Sequence, residues 1–190
     1  LGLIDDTGIR KAGKYFPKQQ IHHDHANNSY YSGMNALSSG VYQNGKFAAI
    51  RSQLVGKADS KLALAEQDVT ALIDKFSVDI FLFDSWYCKS SLLEHIQQQG
   101  KAFVSRARCN SKVVLGEEQR LDALFRGMPH DSYTQIRIAG RSFWTIDCTL
   151  ELKAYGALRV IVSKEAVHAK PIFLVTNAYS FSAKFIVQLY

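Results

Sequence analysis

Two short apolar runs, Leu3-Ile4 and Ile80-Phe81-Leu82-Phe83, each lead straight into aspartate, as Asp5-Asp6-Thr7-Gly8 and as Asp84-Ser85-Trp86-Tyr87. A run that is apolar at successive positions reads as a strand buried on both faces. An acid at the end of such a strand is held at the rim of a core by a backbone that cannot easily move. Two strands of this kind can bring their acids together at one end of a sheet, which is how open sheets build sites. Carboxylates so placed are natural ligands for hard metal ions. Taken alone, Asp-Thr-Gly is also ordinary turn chemistry after a strand. The repetition of the pattern is what points beyond a turn.

The intervening sequence predicts how those strands are joined. Residues 1–9 read as the first strand, followed by the basic, glycine-containing loop Arg10-Lys11-Ala12-Gly13-Lys14. Ile21-His22-His23-Asp24-His25 has metal-binding residue types, but neighbours in an extended chain point to opposite faces, so at most two could share a ligand sphere. These histidines are read as part of a loop, hydrogen-bonded within it or touching backbone phosphates. Asn44-Gly45 is a strong hairpin signal between apolar segments at 36–42 and 47–55. Leu62, Leu64, Ala65, Val69, Leu72, Ile73 and Phe76 recur at helical spacing after a capping Ser60 or Asp59, predicting a helix over 60–76. A buried strand at 78–83, a helix over 90–100 closed by Gly100 and a strand at 102–108 complete the series. Three antiparallel strands, then helix, strand, helix, strand, is the order of an RNase H-like mixed sheet of the α/β class.

Beyond the fifth strand the pattern becomes β-rich. A short helix around Arg120 to Phe125, ended by Gly127 and Pro129, precedes strands at 135–139, 142–153, 158–163 and 172–176. The expected division is a core over 1–112, a β-rich insertion over 113–178 and the start of a last core helix over 179–190, with Ser182 as its cap. Trp144 lies on the second insertion strand and reads as a half-buried sheet residue. Arg106 and Arg108 stand two apart on one predicted strand, so both side chains could reach one phosphate backbone or simply be solvated at a rim.

Composition narrows the partners. A net charge of +6 favours polyanions. Cys88, Cys109 and Cys148 are odd in number and widely spaced, which offers neither a disulfide framework nor a zinc-knuckle spacing and suits a reducing cytoplasm. No apolar run is long enough to span a membrane. The chain begins with Leu and both ends fall in apolar segments, so it is read as an internal fragment.

Ile4-Asp5-Asp6-Thr7-Gly8 with Lys11 and Gly13-Lys14, then His22-His23-Asp24-His25, then Phe83-Asp84-Ser85-Trp86-Tyr87, resembles the DDE transposases of bacterial insertion sequences, in the group with a β-rich insertion before the last acid. The resemblance covers nearly the whole chain. It implies that Asp5, in the Asp-x-Thr position, and Asp84 are the first two catalytic acids and bind Mg²⁺ or Mn²⁺, with Asp6 a neighbour. Lys11, Lys14, Arg106, Arg108 and Trp144 are the candidate DNA contacts. The family's third acid is a Glu on a late helix introduced by Tyr, and Tyr190 matches that tyrosine. Neither Glu117 nor Glu151 takes the role, so the Glu is expected beyond Tyr190 and the fragment is expected to be inactive alone. The implied activity is divalent-metal-dependent DNA cleavage and strand transfer at transposon ends by a cytoplasmic, nucleoid-associated homodimer acting also on target DNA, with no membrane. Another RNase H-like nuclease, or a non-catalytic nucleic-acid-binding remnant, is the alternative.

Overall fold

The computed structural model describes residues 1–11, 16, 18–24, 27–166 and 168–190. Gly13, Lys14 and His25 lie outside the described residues. The chain forms two compact units, residues 1–81 and 82–190, divided within a strand, Ile80–Phe83. Both belong to the mixed α/β class anticipated above, with the β-rich content of an RNase H-like domain.

The first unit is built on one long strand. Its elements are β1 (Gly2–Arg10), β2 (Gln20–Asp24), β3 (Ser29–Gln43), β4 (Lys46–Val55) and α1 (Lys61–Phe76). β3 pairs antiparallel with β1 from Gly33 to Val41, with β2 from Ser29 to Gly33, and with β4 from Asn35 to Gln43. Asn44 and Gly45, at φ 52° and 78°, make the tight turn between β3 and β4 that their sequence requires.

The strand read over residues 1–9 is present, and Asp-Thr-Gly continues it rather than making the turn its residue types also allow: β1 runs on through Thr7, opposite Ala36, and Gly8, opposite Asn35, to Arg10. The length of β3 explains this, because it offers backbone partners well past the apolar residues. Gly8 is required by a close approach, since a Cβ there would lie 1.9 Å from the Tyr31 hydroxyl oxygen. Gly8→Ala is therefore expected to cost about 1 kcal/mol as the Tyr31 ring tip swings away, and Tyr31→Phe in the same chain should recover part of it. Urea denaturation of the single and double variants checks this; equal stability of Gly8→Ala and wild type would refute it.

One expectation is corrected: His22-His23-Asp24 forms the strand β2 rather than a loop. His23 hydrogen-bonds Asn28 Oδ1 through Nε2 at 3.2 Å and meets the Tyr30 ring edge-on, while His22 lies against Tyr31. Among the described residues no group of three or more His, Cys, Asp or Glu side chains gathers into a metal site.

α1 starts where its cap predicts, with Ser60 Oγ accepting from Ala63 N–H at 3.3 Å, and ends at Ser77 in the left-handed conformation. Its Ala65, Val69 and Leu72 are buried along with Ile4 of β1 and Leu37 of β3. Asp68 is the polar exception on that face. Its Oδ1 accepts from Arg51 Nη1 at 2.9 Å, and burial pushes the carboxyl above its usual range against the opposing pull of Ser39 and Arg51.

The second unit holds the end of β5 (Ile80–Phe83), then α2 (Ser90–Gln98), β6 (Ala102–Arg106), β7 (Lys112–Leu115), β8 (Glu117–Arg120), α3 (Leu121–Arg126), β9 (Thr134–Ile138), β10 (Arg141–Leu152), β11 (Gly156–Lys164), β12 (Ile172–Thr176) and α4 (Ala183–Leu189). From β6 the strands follow in the order β6, β12, β11, β10, β7, β8, and β9 also pairs with β10. All the registered pairs among them are antiparallel. Val160, Ile161 and Val162 of β11 and Phe173, Leu174 and Val175 of β12 are buried on both faces, so the centre of this sheet is apolar at successive positions.

The hairpin of β7 and β8 is an addition to what the sequence predicts. Gly116, at φ 81°, turns the chain between Leu115 and Glu117, so Glu117 opens a strand that runs straight into α3 at Leu121. β6 also ends at Arg106, two residues short of the expected strand, and Arg108 lies beyond it. Ser182 caps α4 by accepting from Phe185 N–H at 3.2 Å. Among the described residues no helix is long and apolar enough to cross a membrane.

Candidate active site and nucleic-acid contacts

Asp84 follows directly on β5, whose four residues are all buried. Its side chain folds back onto the next turn: Oδ1 accepts from Trp86 N–H at 2.7 Å and from Tyr87 N–H at 3.4 Å. Such an Asx turn fixes the carboxylate relative to its own backbone. The backbone is fixed too, because the buried Ser105 hydroxyl of β6 donates to Asp84 O at 3.2 Å. Tyr87 is fully buried, and Trp86 packs edge-on against it at 4.9 Å. Asp84 itself remains exposed. A rigid loop thus presents an acid to solvent, with one oxygen committed to the turn.

Asp5 and Asp6 are separated by strand alternation. Asp6 shares a face with Gly2 and Ile4, where Asn35 Nδ2 donates to its Oδ2 at 2.7 Å and Lys61 Nζ, in the first turn of α1, does so at 3.0 Å. Asp5 lies on the other face with Leu3 and Thr7 and is exposed; its Oδ1 accepts from Asp6 N–H at 2.8 Å. The alternation of β1 therefore gives the neighbouring acids different work. Asp6 is occupied by an ion pair that sets α1 against the sheet. Sequence reading did not identify Asn35 or Lys61 as its partners, since both act across long separations in the chain.

The cationic candidates are spread over both units. Lys11 is exposed, with Nζ 5.6 Å from the centre of the Phe16 ring. In the second unit, Arg106 and Arg108 line one cavity of about 420 Å³ together with Ser85, although Arg108 is no longer on the strand. Trp144 is half-buried on β10, where its ring meets His130 edge-on at 4.1 Å. Cys88, Cys109 and Cys148 are all free thiols, and burial pushes Cys88 and Cys148 up, away from thiolate chemistry.

The family model described as "Transposase DDE domain" matches residues 1–190. The chain belongs to that family. None of the curated proteins compared with it matches. As a DDE transposase domain it falls among enzymes that act on DNA by phosphoryl transfer and generally use divalent metal ions. The donor chemistry of the transposase domain fits such ions in part. Asp5 and Asp84 are exposed, hard oxygen donors on rigid backbone, whereas the buried or half-buried thiols and the histidines of β2 are the wrong donors or wrongly spread.

Proposed function

We propose that this transposase domain cleaves DNA at transposon ends and joins those ends to target DNA, with Asp5 and Asp84 as its first two metal-binding acids. The observation that carries the reading is the Asx-turned, exposed Asp84 at the end of a buried strand, in a chain matched throughout by the family. Asp6, held by Lys61 and Asn35, stays a structural neighbour of Asp5. Mg²⁺ or Mn²⁺, when bound, would supply the Lewis acidity that activates a water or a 3′-hydroxyl and steadies the leaving oxygen.

The chain's own part is to hold two carboxylates ready and to seat the phosphate backbone through cations such as Arg106 and Arg108. No side chain has to become covalently attached to DNA. Residues 1–112 act as the catalytic core, 113–178 as the β-rich insertion and 179–190 as the opening of a further core helix. The working protein is a homodimer.

Divalent-ion binding tests this without relying on turnover. Titration of Mn²⁺, followed by calorimetry or by loss of the free-ion paramagnetic signal, should detect binding to wild type that weakens roughly tenfold or more in Asp84→Asn and in Asp5→Asn, but not in Asp147→Asn. Equal Mn²⁺ affinity in all four proteins would remove both acids from the site.

A further inference from the structure

Two adjoining cavities of the second unit meet at Cys109. The first, of about 420 Å³, is lined by Ser85, Arg106, Arg108, Cys109 and Arg120. The second, of about 650 Å³, shares Arg106 and Cys109 and adds Arg126, Lys164 and Lys170. Between them the cavities collect Arg106, Arg108, Arg120, Arg126, Lys164 and Lys170, and the one carboxylate in the lining is Asp122.

That carboxylate is spoken for. Arg120 donates to both of its oxygens, at 2.9 and 2.8 Å, and Arg126 stands 3.6 Å away, so Asp122 props two guanidiniums at the rim. Arg106, Arg108, Lys164 and Lys170 have no carboxylate partner among the described residues; Lys164 lies over the Tyr133 ring instead. Like charges gathered without counterions repel one another, and a polyanion relieves that repulsion.

The floor is of the opposite character. Phe125 and Phe173 are buried with ring centres 5.9 Å apart, so they offer no exposed aromatic face on which a base could stack. Cations at the rim over an apolar floor suit a sugar-phosphate backbone lying along the groove. Ser85, which lines the first cavity, is the residue after Asp84.

We propose that this paired cavity, running from Ser85 past Cys109 to Lys170, is the seat of a DNA backbone segment carrying two or more phosphates that leads toward the Asp84 loop. The inference rests on the transposition reading above, and it adds Arg120, Arg126, Lys164 and Lys170 to the DNA-contacting surface.

Fluorescence anisotropy of a labelled DNA duplex across a salt series tests it. The double variant Arg106→Gln/Lys170→Gln should bind roughly tenfold more weakly at 0.1 M salt, and its slope of log affinity against log salt should be shallower by about 2, one for each phosphate that is no longer neutralised. Lys75→Gln, which removes a charge from α1 in the first unit, should leave the slope within about 0.5 of wild type. Circular dichroism verifies that each variant folds.

Cys109 supplies an independent readout, because it is the exposed thiol of the three. Duplex DNA should slow maleimide labelling of Cys109, followed by peptide mass spectrometry, and a nucleoside monophosphate should not. An unchanged salt slope in the double variant, with Cys109 still labelled freely beside bound duplex, would overturn the groove and leave the transposition reading standing. Protection by the monophosphate equal to that by duplex would overturn it in favour of a small-ligand pocket. Failure of wild type to bind duplex at any salt would overturn both readings together.

Discussion

Asp84→Asn is expected to abolish strand cleavage, by roughly a thousandfold or more, in a chain that continues through the family's third acid. The substitution is chosen for what it preserves. An asparagine keeps the Oδ1 that accepts from Trp86 and Tyr87, so the turn should survive and the buried Tyr87 should stay in place. What is lost is the negative charge and one carboxylate oxygen, so an anionic donor suited to a divalent ion gives way to a neutral amide. Lewis-acid stabilisation of this kind is worth several kcal/mol, and each 1.4 kcal/mol or so of barrier is tenfold in rate. Asp5→Asn should behave alike, while Asp6→Asn should chiefly weaken the attachment of α1 through Lys61. Gel assays of nicked and joined products, run beside duplex-binding measurements, check the expectation. Near wild-type cleavage by Asp84→Asn, with binding intact, would remove Asp84 from catalysis.

Arg159→Ala is expected to produce the largest loss of stability of any single substitution considered for this chain. The guanidinium is nearly buried on β11, where it donates to both Asp147 oxygens, at 2.8 and 2.6 Å. Its third nitrogen donates to Ala178 O at 2.9 Å and to Phe181 O at 2.5 Å. One side chain therefore ties β10 and β11 to the segment that ends in Ser182, the cap of α4. Removing it strands a carboxylate and two carbonyls, and the cost should be about 3 kcal/mol, discounted from the fully buried case because Asp147 is partly exposed. Arg159→Lys should recover only part, since a single ammonium cannot form the planar fork. Urea denaturation measures the loss, and hydrogen exchange should show the α4 amides opening before those of β12. A change of less than roughly 0.5 kcal/mol, the range of ordinary surface substitutions, would mean the clamp is not holding α4.

What could be read from the sequence depended on whether a residue's role was local. The Asn44-Gly45 turn, the Ser60 and Ser182 caps and the placement of Asp84 after a buried run all follow from chemistry within a few residues, and all stand in the structure. β2 and the hairpin of β7 and β8 did not show themselves, because His22-His23-Asp24 and Glu117-Glu118-Gln119-Arg120 carry no apolar alternation and become strands only through the backbone of β3 and β7. The same limit applied near the site. The Asp-x-Thr position marks Asp5 in the sequence, but the partners that occupy Asp6, Lys61 and Asn35, reach it across long separations in the chain. The clustering of Arg120, Arg126, Lys164 and Lys170 likewise needs the fold, since these residues come from separate elements.

β3 is the one strand to which β1, β2 and β4 are all zipped, and the carboxylate pair at Asp5 and Asp6 rides on the first of them. β2 and β4 have no other strand to hold them among the described residues. A breach at the middle of β3 would release both at once and loosen β1, so this half of the protein should come apart as a single cooperative block, and the two acids carried on β1 inherit whatever firmness that spine possesses.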